Sequence, residues 1–370
     1  MNTDTKYLVA LNEPNKNIFY YKDFYINKIY YFIINYLKKI NMKICFLDGI
    51  KVIYDSNDIY SNKIRGAENV LINLSTEFSK LNHDVTIYNN CKSNTKIGNI
   101  NWININNIND NPQYDLAISN NDIRLFDKIT STKKIAISHS IQSIEKFIRK
   151  SQLFAFLKHK PKIVLLSKYH KNNRNFFLRM YGTYNTDWAV DEIFLESKLD
   201  ENVLNNQAIF TSYSDRNLNL LIKIWKEQIY PVDSSKKLLI TPVNYDYSKY
   251  NIYNRKFDDK LKLISDISKS RIFLIPGHKA ELYCISAEEA RELCVPIITL
   301  GIGCLKERVN HGKTGFIANN EKEFADYTFQ LFNDDNIWND MRKNLFSLRG
   351  SKKWKDVANK FLKNAYEYNL

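Results

Sequence analysis

From Met42 onward, short apolar runs alternate with stretches in which apolar residues recur at helical spacing, the pattern of an α/β chain. Met42-Lys-Ile-Cys-Phe-Leu-Asp48 reads as a strand buried on both faces. A polar loop leads to Arg65-Gly66-Ala67-Glu68, after which Val70, Leu71, Leu74, Phe78 and Leu81 mark one face of a helix, and Val85–Tyr88 is the next strand. Together these form a βαβ unit. Further strands are predicted at Asp115–Ser119, Lys134–Ser138 and Lys162–Ser167, so residues 42–190 read as an open parallel sheet. A second series follows, with strands at Gln207–Thr211, Lys237–Thr241, Arg271–Ile275 and Pro296–Leu300, and 191–350 read as a second α/β domain. Asp187–Asp200 is the expected hinge, Glu321–Phe332 and Lys352–Tyr366 the closing helices. In the last of these Trp354, Val357, Ala358, Phe361, Leu362 and Ala365 fall on one helical face, as core residues do; 351–370 is set apart as a C-terminal helix.

Residues 1–41 differ in having no glycine and an aromatic run from Ile18 to Ile40 broken by lysines. The apolar stretch Ile29–Leu37 is short of the roughly 20 residues of a membrane span, so the extension reads as an interfacial helix with snorkelling lysines, or as a segment ahead of the first strand. The 370-residue length suits two domains, and the net charge of +14 favours anionic partners: nucleoside diphosphates, acidic bilayer faces or nucleic acid. Aromatic residues follow core periodicity rather than interleaving a basic stripe, so no nucleic acid is expected. Five cysteines without a Cys-x-x-Cys pair suit a reducing cytosol better than a disulfide framework.

Glycine is scarce, at 10 residues, and five lie between Gly277 and Gly315. That stretch places Glu281 and Glu289 eight positions apart after a strand ending at Pro276, followed by Cys294-Val-Pro-Ile-Ile, then Gly301 and Gly303, then Glu307-Arg-Val and Gly312-x-x-Gly315. The order resembles the donor-binding half of the retaining group 1 glycosyltransferases, which have two Rossmann-like domains facing a central cleft (the GT-B architecture). Arg65-Gly66-Ala67-Glu68 resembles the family's first crossover and Trp188-Ala-Val-Asp191 its hinge, so the likeness spans roughly 42–350.

The resemblance implies roles. Glu281 and Glu289 would meet the sugar hydroxyls and the ribose, although Ser286-x-x-Glu289 also reads as a capping box and Glu281 as a solvated loop carboxylate. Arg216 matches the family's cation on the leaving diphosphate; its companion lysine is replaced by Leu221, leaving Lys223 or Lys279 as substitutes. Gly66 would offer a helix amino end to the same diphosphate. Gly301 and Gly303 would let the backbone close over the donor, and Glu307 would cap the following turn or hold a sugar hydroxyl. His139, at a strand end, matches the family's histidine beside the transferred sugar, against the alternative of a satisfied core residue. His83, His159, His170 and His311 read as surface or turn residues, and the absence of any Asp-x-Asp points to a metal-free site with no cofactor.

The expected function is transfer of a hexosyl-type sugar from a nucleotide-sugar donor to a glycan or lipid-linked acceptor, with retention, in surface polysaccharide or glycoconjugate biosynthesis. A cytoplasmic location, peripheral at an anionic inner membrane face, goes with it. The alternatives are a non-catalytic binding protein of the same fold and a sugar-nucleotide epimerase.

Overall fold

The computed structural model describes residues 41–366 apart from 62–63, 201–202 and 257–258; the extension 1–41, Asn41 excepted, lies outside the described residues. In the first unit β1 (Lys43–Asp48) pairs on one side with β2 (Asp84–Asn89), which leads outward to the hairpin of β3 (Thr95–Ile97) and β4 (Ile100–Asn104). On its other side lie β5 (Gln113–Asn120), β6 (Thr130–Ile137), β7 (Lys162–Leu165) and β8 (Thr183–Asn185), giving the order β3-β4-β2-β1-β5-β6-β7-β8. All pairings are parallel except β3 with β4. The second unit has β9 (Leu204–Phe210), β10 (Lys237–Ile240), β11 (Ile252–Asn254), β12 (Ser270–Leu274), β13 (Ile297–Thr299) and β14 (Gly315–Ile317) in the order β11-β10-β9-β12-β13-β14, all parallel.

The mixed α/β architecture with two parallel sheets is the one the periodicity predicts. In β1, Ile44 and Phe46 enter one core and Cys45 and Leu47 another, because successive side chains leave opposite faces and both faces are covered. The helix Gly66–Lys80 covers the first face, while the segments Ile123–Lys128, Ile144–Arg149, Leu153–His159 and Phe176–Arg179 cover the second. Strands of three residues, such as β8, β11 and β14, carry too little period to announce themselves, and the helix Asp335–Leu348 is also absent from the sequence reading. The five cysteines are free and buried.

The last helix, Trp354–Tyr366, returns to the first unit: Phe361 packs 6.0 Å from Phe78 and Trp354 stacks 5.9 Å from Trp188. Its apolar face was legible, its destination was not. The expected hinge is tied to both units at Asp191. Asp191 accepts hydrogen bonds from Asn69 (3.1 Å) and Asn73 (2.6 Å) of the first unit and pairs with Lys260 of the second, whose ammonium also reaches the Ile59 carbonyl at 2.6 Å.

Candidate active site

The carboxyl ends of both sheets face a cavity of about 550 Å³ between the units. The first unit contributes Arg65, Gly66 and His139; the second contributes Thr211, Tyr213, Arg216, Lys260, Glu281 and Glu289. Arg216 stands in the loop after β9, held by Asn217, which takes a positive φ of 62° and donates its side-chain amide to the Gly277 carbonyl. This joins the Arg216 loop to the loop after β12 that carries Glu281.

The Glu281 loop is wedged from below. Cys304 N donates to the Glu281 carbonyl at 3.0 Å, and a Cβ on Gly303, at φ +74°, would lie 2.4 Å from the His278 carbonyl oxygen. Gly303 therefore works by close approach beneath the carboxylate, and Gly301 packs beside the Lys306 stem and Ile317; neither glycine lines the cavity. The expectation that they close over a donor is corrected accordingly.

Glu281 is half-buried rather than solvated, with Arg216 Nε 3.4 Å from its Oε2. Burial raises its pKa, and the Arg216 charge opposes the rise. That Oε2 has no hydrogen-bond partner, and the same holds for three other buried atoms of cavity-lining residues, His139 Nε2, Trp188 Nε1 and Thr211 Oγ1. Buried polar atoms are ordinarily satisfied, so four unpartnered ones in residues around one cavity mark a place for a hydroxyl-rich ligand. Burial also lowers the His139 pKa to about 4, so the imidazole is neutral near pH 7. Its backbone N–H is fixed by Asn121 Oδ1 at 3.0 Å.

Glu289, one turn into the helix Ile285–Glu292, makes no capping box: the helix cap is Cys284 in the left-handed region at φ 62°, which moves Ser286 inside the helix. The carboxyl lines the cavity, and burial pushes it up to about 7 against the opposing charges of Lys260 and Arg255. Arg216 has no companion from the predicted substitutes. Lys223 pairs with Glu321 at 3.0 Å, Lys279 is exposed outside the cavity lining, and Leu221 is fully buried in the second core. Arg65, one residue ahead of Gly66, sits over the Tyr213 ring at 5.4 Å.

Residues 251–346 match the family described as glycosyl transferases group 1. The match covers 96 of the 370 residues, all within the second unit. It contains Glu281, Glu289, Gly301, Gly303 and Glu307; Arg216 precedes it, and Gly66 and His139 belong to the first unit. No curated protein sequence matches the chain. Among solved structures, sucrose-phosphate synthase from Thermosynechococcus elongatus superposes with a TM-score of 0.65 at 11% identity, covering 88% of this chain and 98% of its own. A glycosyltransferase from Rickettsia africae gives 0.63 at 13% identity, with 88% and 98% covered. Anabaena Alr3699/HepE, solved with UDP and glucose, gives 0.60 at 12% identity, with 89% and 100% covered. At such identities the likeness establishes the two-domain GT-B fold.

In this glycosyltransferase fold Glu307 serves neither expected role. Its carboxylate accepts from Lys168 N (2.8 Å) and Tyr169 N (2.6 Å), capping the helix Lys168–Asn173 of the opposite unit. His83 and His170 are buried, not superficial; His170 Nε2 bonds Gln142 at 2.8 Å. The residues that sequence reading missed are Thr211, Tyr213 and Lys260. Thr211 and Tyr213 follow a strand's carboxyl end, the one signal that pointed to them.

Proposed function

We propose that the protein is a metal-independent glycosyltransferase that moves a hexosyl-type sugar from a nucleoside-diphosphate donor to a glycan or lipid-linked acceptor, with retention of configuration, in surface polysaccharide or glycoconjugate biosynthesis. The carrying observation is the cavity in which a half-buried carboxylate with an orphaned oxygen, Glu281, stands beside the guanidinium of Arg216. Glu281 accepts from donor sugar hydroxyls, and the buried Glu289 meets the ribose. Arg216 balances the charge that develops on the leaving diphosphate, a role suited to a guanidinium held beside the Glu281 carboxylate. From the opposite wall, the first amides of the helix Gly66–Lys80 add positive potential at the cavity-lining Gly66.

His139, neutral at working pH, exchanges hydrogen bonds with a sugar or acceptor hydroxyl and brings no cation. The acceptor enters from the face the diphosphate leaves, which is what retention without an enzyme-bound intermediate requires. The bound UDP and glucose of the Anabaena protein make UDP-glucose the first donor to try. The test measures diphosphate released from UDP-, GDP- and ADP-sugars by the full chain and by Glu281→Gln. One donor should be consumed, and the variant should lose nearly all turnover at an unchanged melting temperature. Undiminished turnover by Glu281→Gln would remove the site assignment, and silence across the panel would favour the binding-only relative.

A further inference from the structure

Residues 144–182 hold ten Lys and Arg and a single acidic residue, Glu145, in a chain whose net charge is +14. Three segments of this stretch, Ile144–Arg149, Leu153–His159 and Phe176–Arg179, lie side by side over one face of the first sheet. They converge on the buried ring of Phe156, which stands 5.5 Å from Phe147 and 5.7 Å from Phe177. Their outward positions mix cations with large apolar side chains. Phe154 is 76% and Phe176 75% exposed, and Ile148, Leu157 and Met180 are exposed with them. The exposed cations Arg149, Lys150 and Lys160 fall in or directly beside these segments, Lys171 follows in the helix Lys168–Asn173, and none has a carboxylate partner among the described residues, while Arg179 lies over the Phe176 ring at 5.2 Å.

We infer that this face seats the protein on an anionic bilayer. An apolar cluster ringed by cations marks an interaction site, and its two components select the partner. Anionic headgroups attract the lysines and arginines, and the interfacial acyl boundary removes the phenylalanines, Ile148 and Met180 from water. A nucleic acid backbone would satisfy the cations and leave those side chains exposed, so charge and apolarity together fit lipid better. The face follows the site along the chain: the loop after β6 carries the cavity-lining His139 and leads directly into Ile144–Arg149. Docking here would hold the acceptor side of the cleft beside the membrane. That last consequence rests on the glycosyltransferase reading, whereas the docking does not.

The experiment uses the full chain, without donor, in co-sedimentation with vesicles of phosphatidylcholine alone and of phosphatidylcholine with phosphatidylglycerol. Binding should require the anionic lipid and weaken with salt. The double variants Phe154→Ser with Phe176→Ser, and Lys150→Glu with Lys171→Glu, should each lower vesicle affinity by about tenfold or more at unchanged melting temperature. Variants that sediment like the parent would overturn the assignment and shift any binding to residues 1–41. Equal binding to neutral vesicles, or capture by duplex DNA or RNA with none by vesicles, would overturn it as well. Because vesicle binding is read without donor, its failure is separable from failure of the catalytic reading.

Discussion

The Glu289 carboxyl has no hydrogen bond among the described residues, and its pKa is pushed up to about 7 because burial disfavours the charged form more than Lys260 and Arg255 favour it. The native state thus binds this proton more tightly than the unfolded chain, whose glutamate titrates near 4.5. The consequence for stability has a definite sign: this residue costs nothing at pH 4, and its destabilisation grows as pH rises through the window from 4.5 to 7. Glu289→Gln should melt like the parent near pH 4 and be more stable at pH 8, by roughly 2–3 kcal/mol at most. Equal melting curves at both pH values would mean that water reaches the carboxylate. Arg216 is the other residue whose effect is local. Arg216→Ala should slow transfer about 10²–10³-fold, the loss of one charge-stabilising donor, measured as turnover beside a melting curve.

At the level of elements, the helix Leu218–Ile224 shows why a motif position need not be a functional one. Leu218, Leu221, Ile222 and Ile224 are all buried, so position 221 belongs to the second core rather than to the cavity. Leu221→Lys should leave transfer no faster and lower stability by about 3–5 kcal/mol, the cost of an uncompensated buried charge, read by denaturant unfolding. A stable and faster variant would show that the helix can turn its side chain toward the donor. The loops behave differently. The Asn217 side-chain amide on the Gly277 carbonyl ties the two cavity loops together, and Cys304 N on the Glu281 carbonyl fixes the Glu281 loop from below.

For the whole molecule, the two units are joined by Glu307 on the Lys168 and Tyr169 amides, by Tyr169 Oη donating to the Lys279 carbonyl at 2.9 Å, and by Lys260 on Asp191 and Ile59. The cavity lies between these clips. Glu307→Ala removes two charge-assisted hydrogen bonds and should cost about 1–3 kcal/mol while raising the donor KM several-fold more than it changes kcat. An unchanged KM, with an unchanged radius of gyration, would show that the clip does not set the cleft.

What the sequence determined by itself is local in nature. Runs such as Ile44–Leu47 state that a strand is buried on both faces, the face of Trp354–Ala365 states that a helix must be covered, and Glu281 with Glu289 states which carboxylates to examine. Only the tertiary structure decided that the last helix returns to the first core, that Glu307 caps a helix 138 residues away, that Gly303 makes room beneath Glu281, and that Ser286 lies inside its helix rather than at the cap. The physical reason is one of range. A period of two or 3.6 is written in neighbouring residues, whereas a backbone amide offered to a distant carboxylate, or a carbonyl pressed against a glycine, leaves no mark on the residues around it. Such contacts exist only once segments distant along the chain have packed against each other.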